Sequence, residues 1–154
     1  MRKIIISDTS CLILLQKIDQ IHLLNRLFGE VLITSTIADE FGEKLPEWVK
    51  VKDPVNFNYQ QILQTIVDAG EASAIALALE HSSPLLILDD LKARKLAKEL
   101  NLTYTGTLGI IIEAKLSGKL EFVKPILNKI KQTNFHLPIE LEHKILDIAG
   151  ESLS

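Results

Sequence analysis

Apolar positions along the chain fall into short, dense runs separated by longer stretches of mixed polarity. Lys3-Ile4-Ile5-Ile6-Ser7 is β-branched without polar alternation and stops at Asp8-Thr9-Ser10. Such a run suits a strand covered on both faces, as in a parallel sheet. Val31-Leu32-Ile33, Trp48 to Val51, Leu85 to Leu88 and Leu102 to Thr105 repeat the pattern. Between them lie helical stretches. Leu12 to Gln16 and then Ile21, Leu23, Leu24, Leu27 and Phe28 read as helical turns ending at Gly29. Ser35 or Thr36 can cap a helix carrying Ile37, Glu40 and Phe41, and 58–67 is a weakly patterned helix. Glu71 to Glu80 is rich in Ala and Leu, 91–100 is amphipathic, and Thr107 opens a helix to about Ser117. Two more helices follow, near 121–132 and 138–149. Strands alternating with helices predict an α/β fold, three layers α/β/α around a central parallel sheet, with a helical C-terminal extension. The expectation is one domain over 1–154, its core at about 3–118 and its C-terminal helices at about 119–150.

Composition narrows the class. A chain of 154 residues with 47% hydrophobic and 24% charged residues can bury its own core and has no disordered composition. One cysteine, Cys11, excludes an internally disulfide-stapled scaffold. Arg2 and Lys3 before Ile4-Ile5-Ile6 imitate the start of a signal peptide, but Asp8 interrupts the apolar run and no small-residue cleavage site follows. No stretch reaches the ~18 apolar residues of a membrane span. The expectation is therefore a soluble cytoplasmic protein. Seventeen Lys+Arg against 20 Asp+Glu give a net charge of −3, so a nucleic-acid partner would need a local basic surface. Leu12, Leu14, Leu15, Ile18, Leu23, Leu24 and Leu27 crowd the first helical region beyond one core-facing stripe. That excess predicts a homodimer or a tight partner complex, against the plainer alternative of packing under the C-terminal helices.

In an open parallel sheet, chemistry sits at the carboxyl ends of the strands. Asp8 follows the first strand, Asp89-Asp90 the strand at 85–88, and Thr105-Gly106-Thr107 the strand at 102–105. Each has a plainer reading, since Asp8, Asp89, Asp90 and Thr107 are all good helix caps. Glu40 and Glu71 would be solvated charges on most helices, although Glu71 opens a helix otherwise small or apolar. Acids sharing one rim repel by about 4 kcal/mol per pair at ~4 Å and an effective dielectric of 20. A divalent cation relieves that repulsion, and oxygen-only donors suit Mg²⁺ or Mn²⁺. Zinc is disfavoured, because His22, His81, His136 and His143 are scattered and Cys11 is alone. Ser10 stands where an Asp-x-Asp phosphatase needs its second acid, and a receiver domain would carry its acid pair after the first strand. No dinucleotide fingerprint, phosphate loop or nucleophile elbow is present.

These residues, in this order and spacing, resemble a PIN domain over about 3–118. The segments that carry the resemblance are Ile4 to Ser10, Ile33 to Glu40, Asp68 to Ala78, Leu86 to Asp90 and the Gly106-Thr107-Leu108-Gly109 turn. The details are most similar to a PIN-like branch related to VapC-type toxin ribonucleases. The resemblance implies a metal-dependent ribonuclease with Asp8, Glu40, Glu71 and Asp90 as catalytic acids and ligands of Mg²⁺ or Mn²⁺. Asp90 is preferred over its neighbour Asp89, and Glu71 stands where the family often has Asp, offset by about one position. Thr9, Ser10 and Thr107 would orient water or a phosphate oxygen. The expected partners are RNA, a small antitoxin protein and a second copy. Lys92, Arg94, Lys95 and Lys98 form either a phosphate-binding track or a solvated helix face. With aromatics at 5%, recognition led by shape and backbone is expected rather than base stacking. The competing readings are a PIN-fold binding module with little or no nuclease activity and a small-molecule phosphohydrolase.

Overall fold

A computed structural model of the chain describes residues 3–151. Arg2, read above as a basic flank, lies outside them. Five strands form one parallel sheet: β1 (Ile4–Ser7), β2 (Val31–Ile33), β3 (Val49–Val51), β4 (Pro84–Ile87) and β5 (Thr103–Thr105), in the order β3-β2-β1-β4-β5. Ile4↔Pro84 through Ser7↔Ile87 set the β1–β4 register. The chain leaves β1 toward β2 on one side and returns to β4 on the other, so the strand order reverses beside β1. That crevice is where open α/β sheets bind their ligands. β1 is central, and Ile5, Ile6 and Ser7 are buried, which explains its unbroken apolar run.

The connecting helices are α1 (Thr9–Lys17), α2 (His22–Phe28), α3 (Ser35–Phe41), α4 (Phe57–Leu63), α5 (Ala69–Leu79), α6 (Leu91–Glu99) and α7 (Thr107–Leu116). α5 is buried from Gly70 to Ala78 and packs on β1, β4 and three neighbouring helices. Its alanines let it approach these elements closely, and a helix enclosed on all sides needs no polar face.

The expected interface of leucines is not on the surface. Leu12, Leu14, Leu15, Ile18, Leu23 and Leu24 are all buried in the core, and Leu27 packs against it. The physical reason is a break. Asp19 takes φ +57 between α1 and α2, so one crowded helix becomes two short ones, each with its own core-facing stripe. These residues therefore give no support for self-association.

α8 (Lys124–Ile130) and α9 (Ile139–Ile148) contribute Ile126, Leu127, Ile130, Ile145 and Leu146 to the same core as the sheet. The C-terminal segment is thus part of the core rather than an appendage. Its end is clamped. Glu151 accepts hydrogen bonds from Val123 N–H (2.6 Å) and Lys124 N–H (3.1 Å) and pairs with Lys115 of α7 at 3.2 Å. α8 has no side-chain cap of its own, so the far end of the chain caps it. Burial alone would raise the Glu151 pKa, but the two N–H donors and Lys115 outweigh it and hold the carboxyl below its ordinary range. Its contribution is therefore present at neutral pH and lost as acid protonates it. Glu151→Ala is expected to cost about 2–3 kcal/mol in urea unfolding near neutral pH. The gap between variant and wild type should narrow as the pH falls below about 4, and a pH-independent gap would refute the charged clamp.

Candidate functional site

Asp8 ends β1 and caps α1. Its Oδ1 accepts from Cys11 N–H (2.9 Å) and its Oδ2 from Asp89 N–H (3.2 Å), while its own N–H donates to Ile87 O. The carboxyl is 2% exposed and bridges the two central strand ends. Asp90 caps α6 through Ala93 N–H (3.1 Å), and Thr34, at the end of β2, caps α3. Asp68 caps α5 through Glu71 N–H at 2.8 Å, and Glu71 reaches back toward Asp68 N–H at 3.4 Å, a reciprocal capping box. Four helices thus begin on this rim with their positive ends toward it. The plain reading of these acids as caps is correct for Asp8 and Asp90, and it does not compete with a role in chemistry.

Glu40 projects from α3 and is exposed, but it is anchored. The Thr9 hydroxyl donates to its Oε1 at 2.6 Å, and its carboxyl lies against Gly70, where any Cβ would collide with it. Glu40 is thereby held between the residue after Asp8 and the residue before Glu71. Asp68 was not among the sequence candidates. The signal was present in Asp68-Ala69-Gly70-Glu71, a capping-box spacing just before an apolar helix.

Asp89 does different work from Asp90. Its Oδ1 accepts from Thr107 N–H (2.9 Å) and its Oδ2 from the Thr107 hydroxyl (2.5 Å), and Arg94 lies 3.7 Å away. Arg94 also donates to Leu88 O at 2.6 Å and lies 5.6 Å from the Tyr104 ring centre. Asp89, Thr107 and Arg94 therefore tie the starts of α6 and α7 to the end of β4. Arg94 is separated from the other basic residues of α6. Lys92 and Lys95 line a shallow groove toward Ile66 and Thr65, and Lys98 is exposed. Ser10 is exposed beside Thr9.

The electrostatics bind these groups into one field. Burial, then the charges of Asp89 and Asp68, push the Asp8 carboxyl up to about 7 against the two N–H groups it accepts from. Burial, then Asp68 and Asp90, push Glu71 to about 7 as well. Among the described residues, the only ion pair these acids make is Arg94 with Asp89. An oxygen-only set whose charges are undercompensated fits a hard divalent cation. As they stand, Asp8, Glu71 and Asp90 are turned to backbone N–H groups and Glu40 to the Thr9 hydroxyl, and no three ligating side chains among the described residues are gathered around one point.

A family model described as a PIN domain matches residues 4–151. The match extends past the expected 3–118 and takes in the C-terminal helices, in keeping with their place in the common core. Neither a curated protein nor a solved structure matches the chain. No helix among the described residues is long and apolar enough to cross a membrane.

Proposed function

The chain belongs to the PIN-domain family, a fold of nuclease type, and on that premise we propose that it is a metal-dependent endoribonuclease, the toxin of a toxin–antitoxin pair. The reading is supported by Asp8 and Asp90 after two neighbouring strand ends and by Glu40 and Glu71 on two helices beside them, with Glu40 held by Thr9 and lying against Gly70 and Glu71 in the field of Asp90. We assign these four to Mg²⁺ or Mn²⁺. When bound, the cation polarises the phosphodiester and lowers the pKa of a bound water. The residues of the chain do the rest. Backbone N–H groups of Cys11 and Asp89 hold the Asp8 carboxylate in a fixed orientation. Thr9 holds Glu40. Asp89 is committed to Thr107 and Arg94, whereas Asp90 accepts only from Ala93 N–H, which supports Asp90 as the ligand of the doublet. Ser10 has an exposed hydroxyl suited to a phosphate oxygen or a water, and Lys92, Lys95 and Lys98 would meet the RNA backbone, making binding salt-sensitive.

An antitoxin or second copy has a candidate surface away from the leucines of α1 and α2. Ile62 in α4 and Ile66 just after it are 62% and 52% exposed, and Phe57 and Tyr59 of α4 are exposed as well, whereas Gln60 is buried. A second reading, a binding module without cleavage, is favoured by one observation, that the acids are not gathered around a single point.

The test is cleavage of a mixed RNA pool with Mg²⁺, with Mn²⁺ and with EDTA, for wild type and two variants. Metal-dependent cleavage is expected. Asp90→Asn keeps its cap and should lose cleavage at unchanged stability. Asp89→Asn should destabilise the fold by about 1–3 kcal/mol, since an amide cannot accept from both Thr107 groups as a carboxylate does. RNA binding without cleavage under every metal condition would establish the module instead.

A further inference from the structure

Tyr104 in β5 and Phe135 in the loop before α9 are far apart in sequence, yet they line one cleft of about 600 Å³. Leu108 and Leu141 add apolar wall, and Arg94 and His136 add polar edges. Asp89 lines the cleft too, so it opens directly onto the acid rim. We propose that this cleft takes one unpaired nucleobase of an RNA strand whose phosphodiester lies on that rim, a site that rests on the nuclease reading above.

The lining suits a flat, polar-edged ring better than an aliphatic side chain. Aromatic faces stack on any base, because every base has a π-face. The Arg94 guanidinium is held over the Tyr104 ring by its bond to Leu88 O and its pairing with Asp89, so a second planar surface is already in place. His136 is exposed and offers ring nitrogens to a base edge. RNA is read chiefly through splayed, unstacked bases, and a phosphate on the acids brings the neighbouring base to this wall. Under this proposal one base contact is added to the recognition led by shape and backbone that the low aromatic content leads one to expect. The few aromatic residues are unevenly placed, and two of them line the cleft beside Asp89.

The experiment uses short single-stranded RNA with Ca²⁺ in place of Mg²⁺, and an abasic or 2-aminopurine nucleotide moved stepwise along it. At one position the abasic site is expected to weaken binding roughly five- to hundredfold, with 2-aminopurine quenched at the same position. Leu141→Trp fills the cleft and His136→Ala removes a polar edge, both on the C-terminal segment and off the sheet. Each should weaken binding of the intact strand while leaving the abasic strand's affinity and the melting temperature unchanged. Equal affinity for intact and abasic strands at every position overturns the proposal and leaves the cleft to an apolar protein side chain. A wild type that binds no oligonucleotide overturns it as well. Metal-dependent cleavage without any positional effect removes the base site while the nuclease reading stands.

Discussion

Asp8→Asn is expected to abolish cleavage and weaken cation binding by at least about three powers of ten. Two unit charges at ~4 Å and an effective dielectric of 20 interact by about 4 kcal/mol, tenfold is about 1.4, and the double charge of the cation makes this a lower bound. Its effect on the metal-free fold depends on pH, and the sign is informative. The Asp8 carboxyl is raised from 3.8 to about 7 in the folded protein, chiefly by burial. The folded state therefore favours the proton, and the stability this brings is full below about pH 4 and lost as the pH rises through 7. The loss is at most about 4 kcal/mol at 1.36 kcal/mol per pH unit. Asparagine carries no charge and escapes it. It also cannot accept from both Cys11 N–H and Asp89 N–H, because its amide nitrogen must face one donor, at a cost of about 1–3 kcal/mol. The variant should be less stable than wild type near pH 5 and more stable near pH 8. Thermal melts in EDTA across that range should cross, and parallel curves would show that Asp8 does not carry a buried charge.

Gly106→Ala is expected to destabilise the fold by about 2–4 kcal/mol although its backbone is unstrained. Gly106 has φ −121 and ψ −177, extended values that any residue adopts. The obstacle is steric. An added Cβ would overlap the Arg94 guanidinium and stand 2.7 Å from Asp89 Oδ1. Arg94 cannot swing away without breaking its 2.6 Å bond to Leu88 O. Removing the guanidinium first should therefore remove most of the penalty. In a double-mutant cycle with Arg94→Ala, the second substitution should cost well below its single-variant value. Additive losses in urea unfolding would show that the glycine is required for another reason.

The sheet and most of its helices were legible because period and capping are local signals. The run at 3–7, the caps at Asp8 and Asp90, and the Ala-rich helix after Gly70 declare themselves within a few residues. What was hidden depends on contacts distant in sequence. Nothing near Glu151 says that its carboxyl caps α8 almost thirty residues earlier. Arg94 reads like Lys92 and Lys95, and only the position of β5 shows that it faces the other way. The division of labour between Asp89 and Asp90 follows from where α7 begins, which adjacent positions in the sequence cannot reveal. The leucine excess is absorbed by the core because Asp19, with no glycine or proline to mark it, turns the chain.

The central placement of β1 also sets an order of events during synthesis. β1 is made first, yet its partner β4 begins at Pro84, and Ile87 must be present before its carbonyl can accept the Asp8 N–H. At about 5–20 residues per second, roughly 4–16 seconds separate the two strands as they leave the ribosome. Until then one edge of β1 is open and Asp8 lacks the Asp89 N–H that helps to hold its carboxylate. Contacts across such long separations are also the slow ones to form. A ribosome-bound chain stalled before residue 84 would therefore carry Asp8 without the β4 strand end and Asp89-Asp90 beside it; on the nuclease reading proposed above, such a nascent chain would be inert toward the RNA it is translated from.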